Sequence, residues 1–263
     1  MPVPKDKLRL GGMALRNGLL VHGPTHWAAA VRTKSGDVKV ASGPKPRVTI
    51  ADDIPGLRGL FRLGEAFAVI PLVKKGLPEA KLAFEQPSVL GVAAGASIAG
   101  TLLRRRAPGA TGEVASAFIA LAPALFALRG GELAAYHGVE HKAIAAYEAD
   151  DDDARDALKE HERCGSHLMA PMLAANLAGT LLLKRTVERP TPIMGGAVSL
   201  ASTAAAVEVF AWTERHADSP VTRALKKPGY ELQRLIGTRE PNETQLEVGR
   251  AALAEILRVE DSN

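Results

Sequence analysis

Four stretches of this chain carry no charged side chain: PSVLGVAAGASIAGTLL (87–103), VASAFIALAPALFAL (114–128), SHLMAPMLAANLAGTLLL (166–183) and PTPIMGGAVSLASTAAAV (190–207). A helix rises about 1.5 Å per residue, so runs of roughly 17 to 20 residues are what it takes to cross the hydrocarbon core of a bilayer. The runs are bracketed by Arg104, Arg105 and Arg106, by Arg129, and by Lys184, Arg185 and Arg189. Small residues fill them, as they do where membrane helices pack closely. Four Ala-rich core helices of a water-soluble domain are the competing reading, but charge-free runs flanked by Arg and Lys are hard to accommodate in one such domain. The expected fold is therefore mainly α, a polytopic membrane helical bundle of about four transmembrane helices, with a small N-terminal β-hairpin-containing region and a helical metal-site insert.

The remaining segments divide around those runs. Residues 1–53 read as a small β-rich region: HWAAAVRTKSGDVKVASG is two short runs about the turn Lys34-Ser35-Gly36-Asp37. Gly11, Gly12, Gly18 and Gly23 punctuate the preceding run as turns or bulges would. Residues 54–86 begin with an apolar stretch interspersed with Arg58, Arg62, Glu65, Lys74 and Lys75, suited to an amphipathic helix in a membrane interface. Then come the first transmembrane pair (87–129), a polar His/Cys insert (130–165), the second pair (166–213) and a helical tail (214–263). In the tail, Leu246, Val248, Ala252, Leu253, Ile256 and Leu257 form one helical stripe after a cap at Asn242 or Thr244.

Charge and composition narrow the partners. The balance of 33 Lys+Arg against 29 Asp+Glu, net +4, suits a membrane surface better than nucleic acid. Aromatic residues at 4% offer no base-stacking surface, so no nucleic-acid partner is expected. The expected partners are the lipid bilayer and a homo-oligomer or another membrane protein. The opening MPVPKDKLRLGGMALRNG has no apolar core before a small-residue cleavage site, so insertion is expected to use internal segments. Four crossings put residues 1–86, 130–165 and 214–263 on one side and the basic loops 104–113 and 184–189 on the other. The basic loops favour one orientation under the positive-inside rule and the bulk of the polar chain the other. A multi-pass protein of the cell (inner/plasma) membrane with its large polar regions cytoplasmic is the orientation we expect.

The insert carries the chemistry. In HGVEH, His137 and His141 are four residues apart, one helical turn on the same face, a spacing at which two imidazoles can share one metal ion. With Glu140 they match H-x-x-E-H, in which two histidines hold zinc and the glutamate acts on the metal's water. The later HERCGSH adds His161, Cys164 and His167. Two histidines plus Cys164 or His161 would make a three-ligand site with one open position, the catalytic rather than the structural arrangement of zinc. Cys164, the only cysteine, can form no internal disulfide and is free for packing, the commonest fate of a lone cysteine, or for metal or redox chemistry. Asp150 to Asp153 read as a solvated loop that ends one helix and caps the next, ARDALKEHER. Glu208, at the end of the fourth apolar run, is a carboxylate near membrane depth and a candidate additional ligand.

These motifs resemble the YqhQ-like bacterial membrane proteins, a family of unknown function sometimes described as predicted metal-dependent enzymes. Its N-terminal G-G-x-A-x-x-E-G-x-x-x-R-G-P is similar to GGMALRNGLLVHGP, its G-A-E-H-K to GVEHK, its H-P-R-C-G-T to HERCGS, and its P-G-x-x-x-Q-x-x-T-x-R-E-P to PGYELQRLIGTREP. Two positions depart: Asn17 stands where the family has Glu, and His22 where it has Arg. If that Glu were a base or ligand, Asn17 alters the activity; if it shapes a turn, Asn17 serves as well. The resemblance implies a membrane protein with a metal site and implies no substrate.

The combined expectation is a membrane-associated enzyme, hydrolytic in type, using zinc or another divalent metal. His137, His141, His161 and Cys164 are the candidate ligands, Glu140 is the candidate catalytic base, and Glu208 and Asn17 are possible additions. The alternatives are a non-enzymatic assembly or scaffolding factor and a transporter, the latter resting on Glu208 and Asn176, with no internal repeat in its favour.

Overall fold

The computed structural model describes residues 7–48, 58–107, 109–129, 131–151 and 153–262. Its N-terminal part is a four-stranded antiparallel meander in the order β1 (Gly11–Leu15), β2 (Gly18–His22), β3 (His26–Arg32), β4 (Val38–Pro44). The β3–β4 turn falls on the expected Lys34-Ser35-Gly36-Asp37, where Gly36 takes φ 96°, a conformation that costs a residue without Cβ little. Period-two alternation supplies both faces of the sheet. Leu19, Val21, Ala28 and Ala30 pack on one side against Tyr136, Val139, Leu246, Ala252 and Ile256. Leu20, Trp27, Ala29 and Val31 pack on the other against Val69, Val73 and Leu77.

The helices that cover those faces are α6 (Glu132–Ala149) and α10 (Glu243–Asp261) on the first and α2 (Ile70–Gly76), which follows α1 (Arg58–Ala68), on the second. Asn242 caps α10 as expected: its side chain accepts from the Gln245 N–H at 2.9 Å, and Gln245 reaches back to the Asn242 N–H at 3.0 Å. Four helical spans are long and apolar enough to cross a membrane: Pro87–Arg106, Ala110–Leu128, Gly165–Thr186 and Pro192–Arg215. They comprise α3 (Pro87–Arg106), α4 (Ala110–Ile119) with α5 (Ala122–Leu128), α7 (Met169–Thr186) and α8 (Pro192–Arg215). Between 6 and 17% of their apolar windows is buried, so their surfaces lie largely uncovered. Asn176 on α7 donates to Ser199 on α8 at 3.1 Å, a packing contact within the second pair. The tail opens with α9 (Pro220–Leu232), which passes into a single π turn, Gln233–Gly237.

Several expectations change. Gly11 and Gly12 lie in β1 and Gly18 begins β2; they are not turns. Gly18 is required because a Cβ there would meet the Ala30 carbonyl oxygen at 2.0 Å. The amphipathic segment is two helices, α1 and α2, interrupted at Val69, where Pro71 supplies no N–H to continue the ladder. Its expected start at Ile54 lies outside the described residues. The second apolar run is likewise divided, at Ala120–Leu121 just before Pro123.

The expected helix over ARDALKEHER does not form: among the described residues, 153–164 are turns and irregular chain. The carbonyls that a helix would use internally are taken by side chains. Lys142 Nζ donates to the Arg155 and Ala157 carbonyls at 2.9 and 2.6 Å, and His141 Nδ1 lies 2.6 Å from the Lys159 carbonyl. Asp150 does end α6, in the left-handed region at φ 55°. Asp153 accepts from the Arg155 N–H at 3.0 Å but starts a turn. Asp152 lies outside the described residues.

Candidate metal centre

α6 is buried along most of its length between the sheet and α10, which fixes the side chains it carries. Two glycines permit the close approach. A Cβ at Gly138 would meet the Arg239 carbonyl at 2.3 Å, and one at Gly249 would meet Val139 Cγ1 at 2.4 Å. The i, i+4 spacing then brings the imidazoles of His137 and His141 together, with ring centroids 4.3 Å apart and planes tilted by 58°.

Each ring is oriented by a backbone carbonyl. His137 Nδ1 lies 2.8 Å from the Gly237 oxygen, and His141 Nδ1 lies 2.6 Å from the Lys159 oxygen. A carbonyl can only accept, so both Nδ1 atoms carry the proton and both Nε2 atoms present lone pairs. That outer hydrogen bond is the usual device for aiming a metal-ligating histidine. The Nε2 of His137 is 3.4 Å from Cys164 Sγ, while the Nε2 of His141 is buried with no partner among the described residues. One ligand atom from each of His137, His141 and Cys164 lies within 4.8 Å of the others.

Zinc bonds of about 2.0–2.3 Å at tetrahedral angles put neighbouring ligand atoms about 3.5 Å apart, so the donor set fits a small thiophilic dication with modest contraction. The orphaned Nε2 of a buried histidine is what such an ion would satisfy. Burial lowers the pKa of His141 and keeps it neutral, the form that ligates. Burial alone would raise the Cys164 thiol, but the neighbouring His141 ring and the Ser166 N–H outweigh it and leave the thiol below its ordinary value.

The Cys164 loop is fastened from three directions. Arg163 forms an ion pair with both carboxylate oxygens of Glu148. Gln233, wholly buried, accepts from the His161 N–H at 2.7 Å and donates to Ser166 Oγ at 2.8 Å. His167 is also buried, with Nδ1 3.0 Å from the Lys226 carbonyl. The hub role of Gln233 was not anticipated, although it is the glutamine of the PGYELQ motif.

Glu140 points from the same helix toward the cluster's surroundings and is buried. Burial raises its pKa to about 7, opposed by His137 and reinforced by Cys164. Gly12 makes room for it: a Cβ there would stand 2.7 Å from the Glu140 side chain. His137, Glu140, His141 and Cys164 all line one cavity of ≈ 660 Å³ that wraps the outer edge of β1.

The other sequence candidates are placed elsewhere. His161 lines the cavity, its ring centroid 5.6 Å from that of His141 and its Nε2 3.6 Å from Glu148, outside the three-atom cluster. Asn17 sits in the β1–β2 turn, donating to the Arg32 and Glu79 carbonyls at 2.9 and 3.1 Å and accepting from the Lys81 N–H at 2.9 Å. It acts as a clamp between the hairpin and the chain before α3. Glu208 is half-buried on α8, outside the cluster.

Residues 132–259 match the family described as "Protein of unknown function (DUF1385)". That span contains α6, the Cys164 loop and the PGYELQ segment, and leaves out the sheet. The chain is 25% identical to "Uncharacterized protein YqhQ" of Bacillus subtilis (strain 168), over 95% of this chain and 92% of that protein. Both findings support a YqhQ-like family of unknown function, in line with the motif resemblance. No solved structure matches.

Proposed function

We propose that this chain is a multi-pass membrane protein of the plasma membrane whose polar domain, on the cytoplasmic side, is a metal-dependent enzyme of hydrolytic type. The observation that carries the reading is the convergence of His137, His141 and Cys164, with both Nδ1 atoms committed to carbonyls and the buried Nε2 of His141 without a partner among the described residues. Four largely uncovered apolar spans support insertion, since such surface is costly in water.

His137 Nε2, His141 Nε2 and Cys164 Sγ would hold the ion, zinc being the best match to a nitrogen and sulfur donor set. A dication there supplies Lewis acidity and an acidified water beside an open cavity. Glu140, on the same turn of α6 and facing the same cavity, would accept and return a proton. Gly12 leaves room for its carboxylate, and the Gly237 and Lys159 carbonyls hold the imidazoles in the ligating tautomer.

Cobalt substitution tests the ligand set. Detergent-purified protein loaded with cobalt is expected to give a thiolate-to-metal charge-transfer band that disappears in Cys164→Ser and persists in Glu140→Gln. Cobalt bound without that band, or not bound at all by folded protein, contradicts the proposal.

A further inference from the structure

The cavity beside the metal centre has walls of two kinds. The lining includes the ligand set and a group of cations, Arg9, Lys45, Arg62 and Arg163, while Glu140 is its only acidic member among the described residues. Arg163 and Arg62 are partly neutralised from behind by Glu148 and Glu65, and Arg9 stands 3.6 Å from Glu214. Lys45 binds only a carbonyl, that of Gly23, at 2.9 Å among its described hydrogen bonds. Among the lining residues themselves cations outnumber carboxylates four to one, with Lys45 also in the field of Glu65 and Glu260.

His22 adds two unpartnered ring nitrogens. Both of its ring nitrogens are buried and lack a hydrogen-bond partner among the described residues, although the residue lines the cavity. Burial, with Lys45 nearby, lowers its pKa to about 4, so the ring is neutral and offers one donor and one acceptor. Buried polar groups are seldom left in that condition without a ligand or water to satisfy them.

Another part of the lining is apolar. It is built by Phe67 of α1, Phe84 just before α3, Leu128 at the end of α5 and Phe210 near the end of α8. Phe67 and Phe84 are 53 and 51% exposed, unusual for side chains of that size. Leu128 ends one of the four apolar spans and Phe210 lies in the last part of another, so this part of the lining belongs to the same helices that would meet lipid. Gly11, also in the lining, leaves open space along the β1 edge, since a Cβ there would meet nothing within 4 Å.

We infer that the cavity receives a membrane amphiphile with an anionic, phosphate-type headgroup, the head among the cations and the His/Cys cluster and the tail against the phenylalanine wall. Lateral entry from the bilayer follows from the place of Leu128 and Phe210 on the apolar spans. A small water-soluble anion would use the cations and have no need of the aromatic side chains; an uncharged lipid would do the reverse. The inference rests on the metal-centre reading for the identity of the headgroup site.

The test uses the full chain in a neutral detergent and three probes: dioctanoyl phosphatidic acid, dioctanoylglycerol and inorganic phosphate. Equilibrium binding is expected to be at least about tenfold tighter for phosphatidic acid than for either half-probe. Phe67→Ser with Phe84→Ser is expected to lower phosphatidic acid affinity by about tenfold while leaving metal content and thermal midpoint unchanged, because both side chains are already half exposed. Equal affinity for phosphate alone, equal affinity for dioctanoylglycerol, or a folded, metal-loaded protein that binds none of the three overturns the inference and leaves the metal reading intact. The expected pattern in protein that never carries metal upholds the amphiphile site and overturns the metal reading.

Discussion

His137 Nε2 and Cys164 Sγ, separated by 27 positions in the chain, stand 3.4 Å apart. Helix α6 sets the first of these and an irregular loop the second, so the centre depends on how that loop is fastened. Removal of either ligand is expected to lower metal affinity by well over the 10–100-fold typical of changes in the supporting shell. Competition with a chromophoric chelator, for His137→Ala and Cys164→Ala beside wild type, measures this.

Lys142 is the first fastening. Its ammonium, 5% exposed, donates to the Arg155 and Ala157 carbonyls and pairs with Glu240 at 3.1 Å. Each hydrogen bond to a charged group contributes roughly 1.5–3 kcal/mol. Lys142→Met is expected to raise amide exchange across 154–164 and weaken metal binding, while exchange in the sheet stays as in wild type. Unchanged protection of that loop would contradict the role assigned to Lys142.

Glu148 is the second, and its effect depends on pH. Burial would raise its carboxyl, but hydrogen bonds from His161 and Arg163 prevail and bring the pKa from 4.5 to about 2. A group whose pKa is lowered by folding stabilises the native state above its unfolded pKa and ceases to as pH falls through the folded one. The contribution is therefore complete above pH 4.5 and disappears as pH falls toward about 2. Thermal unfolding of wild type is expected to decline more steeply over that window than that of Glu148→Gln, which begins less stable.

Gly12 faces Glu140 so closely that any side chain must displace one or the other. Gly12→Ala is expected to destabilise by about 1–3 kcal/mol, the usual cost of overpacking. Glu140→Ala made in the same chain is expected to restore most of it, because the clash is with that carboxylate. A double-mutant cycle on chemical denaturation reads the coupling; additive losses would mean that Gly12 serves some other contact.

Insertion has its own test. In a Cys164→Ser background, a cysteine at Arg105, in the loop side of the first pair, is expected to react with an impermeant thiol reagent added outside intact cells. One at Lys34, in the exposed β3–β4 turn, is expected to stay unreacted until the cells are opened. The reverse pattern would invert the proposed orientation.

What could be read from the residues follows the range of the interactions. The β3–β4 hairpin and α10 were legible because a Gly-containing turn and an Asn242 cap act over four residues. The His137/His141 pair was legible for the same reason, one helical turn being a local distance. The loop over 153–164 was not: its composition suits a helix, but its carbonyls are captured by Lys142 and His141, contacts that exist only once α6 is packed. Gly11, Gly12 and Gly18 looked like turns because a glycine that admits a neighbour and one that bends the chain are indistinguishable in one sequence. Gln233 could be seen only as part of a motif, since the groups it joins lie about 70 residues upstream.

The most direct test of the metal centre is elemental analysis of detergent-purified wild-type protein beside His141→Ala and Cys164→Ala. The account predicts about one zinc or comparable divalent ion per wild-type chain, lost in both variants while each still unfolds cooperatively. Fully folded wild-type protein that carries no metal and takes up none on dialysis against zinc would contradict it.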